Sequence, residues 1–123
     1  MSGNINFNGW LNDDGSENYK CRAWVNFNGT ATVAIRASGN VSSVTDNGTS
    51  DYTVNFTTPM PNANYSAVWS VAYSTAAGFK TYSYDSELGG QSQLAGSVRL
   101  SQVMVTDGGS SIDPQSLCLA VFA

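Results

Sequence analysis

Apolar and polar residues alternate along most of this chain with a period of two, in short runs broken by Gly, Asn, Asp, Ser and Pro, the pattern of half-buried antiparallel strands. From Cys21 to Tyr65 the sequence reads CRAWVNFNGTATVAIRASGNVSSVTDNGTSDYTVNFTTPMPNANY. Ala23, Val25 and Phe27 share one face of the first run. Asn28-Gly29 is a dipeptide favoured in two-residue hairpin turns, which need φ > 0, so the return strand is expected through Val33 and Ile35. Ser38-Gly39-Asn40 interrupts that strand. A short run about Val41 and Val44 then leads to a second turn of the same kind at Asp46-Asn47-Gly48-Thr49. Tyr52, Val54 and Phe56 face together on the return, until Pro59 and Pro61, which have no N–H to contribute, end the ladder.

Beyond the prolines, the longest alternation runs from Tyr65 to Ser74, with Tyr65, Ala67, Trp69, Val71 and Tyr73 on one face. It predicts a strand central to its sheet, with Trp69 in the core. After a turn at Ala76-Ala77-Gly78, Phe79 to Tyr84 reads as an aromatic strand, and Asp85, Glu87 and Gly89-Gly90 as an exposed loop. Ser97 to Thr106 alternates again, Val98, Leu100, Gln102 and Met104 against Arg99, Val103 and Val105. In Leu117 to Phe122 both faces are apolar, Leu117, Leu119 and Val121 on one and Cys118, Ala120 and Phe122 on the other. Such a strand is expected inside the fold or at a subunit contact. No run has helical periodicity. With turn signals every 10 residues or so, the expected fold is all-β: an antiparallel β-sandwich of about eight strands with a short N-terminal arm.

Composition adds a constraint on partners. The 123 residues suit one domain, here a sandwich over 21–123 preceded by an arm over 1–20. Charged residues make up 11%, against about 25% in ordinary globular proteins. Ser, Thr, Asn and Gly fill the deficit and leave little charge to protect exposed sheet edges, which favours a homo-oligomer whose edges are covered by partner subunits. The net charge is −4 and the five basic residues, Lys20, Arg22, Arg36, Lys80 and Arg99, are scattered. No basic patch for nucleic acid is expected. The apolar runs fall well short of the ~20 residues of a membrane span, so no membrane insertion is expected. Met1 leads into Ser2-Gly3-Asn4 without a charged segment and apolar core, so no secretory signal is expected.

Candidate chemistry is narrowed by what is missing. The chain has no histidine, which removes histidine-dependent triads and nearly all catalytic zinc sites. Asp13-Asp14-Gly15 reads as a turn, because it lacks the further carboxylates of a calcium loop. No phosphate-cradling glycine loop is present. No metal, cofactor or catalytic residue is therefore expected. Asp85 and Glu87 are a carboxylate pair of the kind a glycosidase needs, but in a polar loop beside Gly-Gly solvated carboxylates are the default. Lys80, Tyr82 and Tyr84 share a face with two open readings: a recognition surface of polar-tipped rings, or closure of the sheet's apolar face. In the polar arm, Phe7, Trp10 and Leu11 belong either to a disordered segment or to a docking element. Cys21 and Cys118 stand on the first and last strands of the sandwich; cytosolic synthesis favours buried free thiols over a disulfide. Asn28, Asn40, Asn47, Asn55 and Asn64 begin Asn-x-Ser/Thr triplets, read as turns and polar strand faces.

Four motifs carry a resemblance: CRAWVNFNGT from Cys21, VAIRASGNVSSVTDNGT from Val33, DYTVNFTTPMPNANY from Asp51 and SIDPQSLCLAVFA from Ser111. They resemble a segment of tail-fibre proteins of bacteriophages and prophages, especially marine ones, usually near the fibre's C-terminal end. The likeness covers the first half of the domain closely and the second in outline, and Ser74 to Gly96 matches nothing in it. It implies a virion structural protein, a trimeric tail-fibre tip or tail-associated receptor-binding protein that attaches to a host-surface glycan or protein without catalysis. Such a protein is made in the host cytoplasm and exposed on the released particle. Receptor choice is then expected in the unmatched region, with Phe79, Lys80, Tyr82, Tyr84, Asp85 and Glu87 as candidates. Phe7, Trp10 and Leu11 would dock to a neighbouring subunit or another virion protein. In the family the segment ends a long fibre, whereas here it is almost the whole sequence, which leaves a capsid or tail decoration protein as the alternative and a small polysaccharide depolymerase as a weaker one.

Overall fold

The computed structural model describes residues 4–6, 9–11, 14–15, 21–72, 79–80, 93–101, 103, 105–106 and 110–123. Every regular element among them is a β-strand: β1 (Asn4–Asn6), β2 (Gly9–Leu11), β3 (Cys21–Asn28), β4 (Ala34–Gly39), β5 (Val41–Gly48), β6 (Asp51–Phe56), β7 (Ser66–Ala72), β8 (Phe79–Lys80), β9 (Gln93–Leu94), β10 (Ser97–Ser101), β11 (Val105–Thr106) and β12 (Ser116–Phe122). Eight of them form two antiparallel four-stranded sheets, β4-β3-β12-β7 and β5-β6-β10-β9. The expected all-β sandwich is therefore found.

The alternation read from the sequence explains why the sheets close on each other. Ala23, Val25 and Phe27 of β3, with Leu117, Leu119 and Val121 of β12, are buried beneath one sheet. Tyr52, Val54 and Phe56 of β6, with Val98 and Leu100 of β10, are buried beneath the other. Each Val, Leu or Phe side chain among them contributes about 1.5–3 kcal/mol when removed from water. The layers meet ring to ring: Phe27 and Tyr52 pack edge to face at 5.1 Å, Phe56 and Tyr65 at 5.9 Å.

Two polar devices fix how the layers join. At the first, the chain leaves β4 in one sheet and enters β5 in the other through Asn40, at φ 55°, a left-handed conformation that asparagine tolerates better than most residues. Its Nδ2 donates to the Arg22 and Thr58 carbonyls, both at 3.0 Å, and its Oδ1 accepts the Thr58 N–H at 2.7 Å. The break expected at Ser38-Gly39-Asn40 is thus the corner of the sandwich. At the second, the buried Tyr52 hydroxyl donates to Asp113 Oδ1 at 2.7 Å and lies 3.1 Å from the Gly29 carbonyl oxygen. The same Asp113 oxygen accepts the Ser50 N–H at 2.8 Å, and the Gly29 N–H donates to the Pro114 carbonyl at 3.0 Å. Strand β6 of one sheet is thereby tied to the segment entering β12 and to the loop leaving β3, both of the other.

Several details differ from the sequence reading. Between β3 and β4 the loop spans 29–33, with Asn28 opposite Ala34, so Asn28-Gly29 is not a two-residue turn. Asn28 Oδ1 instead accepts the Thr30 N–H and hydroxyl, Ala31 takes the positive φ of 53°, and Gly29 provides room for the Tyr52 hydroxyl. Ile35 is exposed on the edge strand. The β5–β6 turn is Thr49-Ser50, because Gly48 pairs with Asp51 and a register shift between Asp46 and Gly48 absorbs Asn47. Strand β7 lies at the edge of its sheet among the described residues, and β12 and β3 occupy the centre. Trp69 does pack against the core, as expected. The run from Ser97 stops at Ser101, with Val103 buried and β11 separate.

The arm and the aromatic region are described in part. Strands β1 and β2 pair antiparallel, with Trp10 opposite Ile5 and Leu11 opposite Asn4. Phe7 lies outside the described residues. Asp14 and Gly15 form the expected turn, with Gly15 at φ 85°.

Two tests follow from the Tyr52 junction. Tyr52→Phe removes a buried hydrogen bond to a carboxylate and should lower unfolding free energy by about 1.5–3 kcal/mol, whereas Gly29→Ala, whose Cβ would collide with the Tyr52 hydroxyl, should cost about 1–3 kcal/mol; urea midpoints that match the parent would contradict the role of the junction. Burial pushes the Tyr52 hydroxyl pKa far above its ordinary value, reinforced by the Asp113 bond and the negative charges of Asp113, Asp46 and Asp51. Burial also raises the Tyr65 hydroxyl. Above a pH of about 10 the unfolded chain loses protons that these folded tyrosines keep, so stability is full below that pH and falls above it, by at most about 1.4 kcal/mol per pH unit for each tyrosine. Denaturant midpoints measured on either side of that pH should decline, and less steeply in Tyr52→Phe.

Candidate functional site

The residues expected to contact a receptor fall where little is described. Phe79 and Lys80 form β8, opposite Thr106 and Val105 of β11. Tyr82, Tyr84, Asp85 and Glu87 lie outside the described residues. A surface trough among the described residues lies elsewhere, on the outer face of the β4-β3-β12-β7 sheet.

Its shape follows from the register of three strands. Trp24 of β3, Ala120 of β12 and Val68 of β7 stand side by side, and in the next outward-facing row Asn26, Cys118 and Ser70 do the same. Ala120 on the central strand, between the larger Trp24 and Val68 of its neighbours, opens a trough of about 490 Å³ that continues over Cys118, walled by Trp24 and Val68 and floored by Cys118 and Ala120. The walls remain open to solvent: Trp24 is 44% exposed and Val68 57%, while Phe122, outward on β12 beyond Ala120, is 41% exposed.

Both ends of the trough's β3 wall are held by β4. Gly39 lies opposite Trp24, and any Cβ there would collide with the indole. A glycine on the edge strand therefore gives the indole room, an arrangement known to support aromatic side chains on sheets. Two residues along β3, Asn26 Oδ1 accepts a hydrogen bond from Arg36 at 3.1 Å. The same guanidinium donates to Ser116 Oγ at 2.9 Å and to the Gln115 carbonyl at 2.6 Å. Arg36 thus reaches from β4 over β3 to the start of β12, a span that its long planar fork suits.

Two expectations are sharpened here. Within the chain strand β12 is buried on one face only, since Cys118 and Phe122 on the other are exposed, so of the two places expected for its second face the interior of the fold is not the one found. The thiols of Cys21 and Cys118 are free, as expected, but both are exposed. Although β3 and β12 adjoin, the register sets Cys21 opposite Phe122 and Cys118 opposite Asn26, so the two sulfurs are not brought together. The five Asn-x-Ser/Thr asparagines serve as read: Asn28, Asn40 and Asn47 shape turns and a bulge, and Asn55 bonds across the strands to Ser43 and Thr45. Asn64 follows a turn in which its N–H donates to Asn62 Oδ1.

The trough lining contains one thiol and no carboxylate, lysine or histidine, and among the described residues no three His, Cys, Asp or Glu side chains gather to hold a metal. It offers an aromatic plane, apolar walls and, at one end, an amide fixed by a guanidinium. The sequence marks the second apolar face of Cys118, Ala120 and Phe122, but alternation assigns outward Trp24 and Val68 to solvent; the signal at those two positions is a large apolar residue facing outward on strands already apolar inward.

Gly39→Ala should displace the Trp24 indole while the fold persists, read as a shift of one tryptophan Nε1–H cross-peak with the remaining amide spectrum in place. An unchanged indole peak would mean that the ring does not rest on Gly39. Comparison with protein-family models, with curated proteins and with solved structures finds no match to this chain.

Proposed function

We propose that the protein is an attachment module of a bacteriophage particle, a tail-fibre tip or tail-associated receptor-binding protein that engages the host surface without catalysis. The observation that carries this reading is the open, aromatic-walled trough, whose lining holds no carboxylate, lysine or histidine, a surface equipped for contact and not for bond chemistry. It is supported by where the resembling motifs lie. CRAWVNFNGT is β3, VAIRASGNVSSVTDNGT is β4, the Asn40 corner and β5, DYTVNFTTPMPNANY begins as β6, and SIDPQSLCLAVFA carries Asp113 and β12. The likeness therefore falls on the strands and junctions that frame the sandwich. In this reading the protein works as a homotrimer, its low-charge sheet edges covered by sister subunits and by other virion proteins, and the region about 74–96 together with the trough faces the host.

Gold-labelled antibody against the protein, viewed on intact particles by electron microscopy, tests the assignment. Label at tail or fibre ends is the expected result. Label distributed over the head would replace receptor attachment with capsid decoration, and unlabelled particles would remove the virion reading altogether.

A further inference from the structure

Charge is distributed unevenly over the sandwich. The chain carries a net charge of −4, yet β3, β4, β7 and β12 contain Arg22 and Arg36 and no Asp or Glu. Arg99, on the opposite sheet, is neutralised by a two-pronged bond to Asp51 at 2.7 and 3.0 Å. Arg36 is held differently: its acceptors are the Asn26 amide, the Ser116 hydroxyl and the Gln115 carbonyl, all neutral. Its position is fixed and no carboxylate among the described residues pairs with it, at the end of the trough that Asn26 lines. Because Asn26 Oδ1 is committed to Arg36, the donor edge of that amide is its Nδ2.

From these features, resting on the attachment reading above, we infer that the trough binds an acidic saccharide. One sugar ring lies on the Trp24 indole, which offers a flat apolar surface to the C–H face of a pyranose. The carboxylate or sulfate of the ring or its neighbour meets the Arg36 guanidinium in a charge-assisted contact. Asn26 and Ser70, across the trough floor from each other, bond its hydroxyls. A volume of about 490 Å³ lies within the usual range of small-molecule sites, about 300–1,000 Å³. Charge complementarity selects this occupant over a second copy of the chain, since two-fold packing of the face on itself would bring two Arg36 side chains into one interface with no carboxylate from these strands.

Titration calorimetry of the full chain with trigalacturonate, a chondroitin sulfate tetrasaccharide and neutral maltotriose provides the test. At least one acidic probe should bind about tenfold or more tightly than maltotriose, a difference of about 1.4 kcal/mol. Preference for trigalacturonate would mark a uronic acid and preference for the chondroitin probe a sulfated sugar. Raising salt from about 0.05 to about 0.5 M should weaken the acidic probe and not the neutral one. Arg36→Gln should abolish the preference, and Trp24→Ala should weaken the acidic probe about tenfold with the unfolding midpoint retained; Arg36→Gln, at an exposed position, keeps the test readable if Trp24→Ala does not fold. Equal binding of acidic and neutral probes, no binding of either, or a preference that survives Arg36→Gln would overturn the inference. So would a dimer in sedimentation velocity that Trp24→Ala dissociates, which would make a second copy the occupant. Labelled fibre ends with silent trough variants would sink this assignment alone, whereas unlabelled particles with Arg36-dependent saccharide binding would sink only the attachment reading.

Discussion

A phenol in the middle of a β-sandwich must find an acceptor, and in this protein the search for one holds the two layers together. The Tyr52 hydroxyl and the Ser50 N–H share one oxygen of Asp113, more than sixty residues further along the chain. Gly29 closes the arrangement from the other layer, where its missing side chain admits the hydroxyl and its N–H binds the Pro114 carbonyl. A buried polar group without a partner costs about 1–3 kcal/mol, so these residues stand or fall together. The geometry of the Thr49-Ser50 turn, with Ser50 at φ 61°, and the entry of β12 into its sheet both answer to that one carboxylate oxygen.

With the layers joined in this way, the inward faces of β3 and β12 are consumed by the core and their outward faces are left over. Strand β12 runs between β3 and β7, so its small outward residues become the floor of a trough whose walls belong to its neighbours. The edge strand β4 then acts on the site from the side, by the bare backbone of Gly39 and by the reach of Arg36. A trough built on regular strands, β12 and β3 central and β7 at the edge among the described residues, needs no loop to shape it and inherits their rigidity.

The core was legible in the sequence because it depends on a local rule. Alternation at Ala23, Val25 and Phe27, at Tyr52, Val54 and Phe56, and at Leu117, Leu119 and Val121 reports which side chains face inward, whatever the strands pair with. Turn chemistry was less reliable. Asn28-Gly29 has the composition of a tight hairpin, but Gly29 is needed for a contact with Tyr52, so the turn lengthens to accommodate it. Asp46-Asn47-Gly48 likewise becomes a bulge. The regular alternation of β7 suggested a central place, yet alternation records one buried face and is silent about neighbours on either edge. At the trough, Trp24, Cys118 and Val68 are far apart in sequence, and only the register of β3, β12 and β7 sets them in adjoining rows.

The sequence by itself determined the all-β class, the identity of the buried faces, the strand break at Ser38-Gly39-Asn40 and the low charge of the surface, because each follows from residue type and short-range spacing. Tertiary structure decided the strand order, the exposure of the second face of β12, the separation of the two cysteines and the union of Trp24, Asn26 and Arg36 around one trough. Those depend on pairing between distant segments, and pairing is set by how two apolar faces close over a single satisfied polar junction, a condition that no local pattern contains.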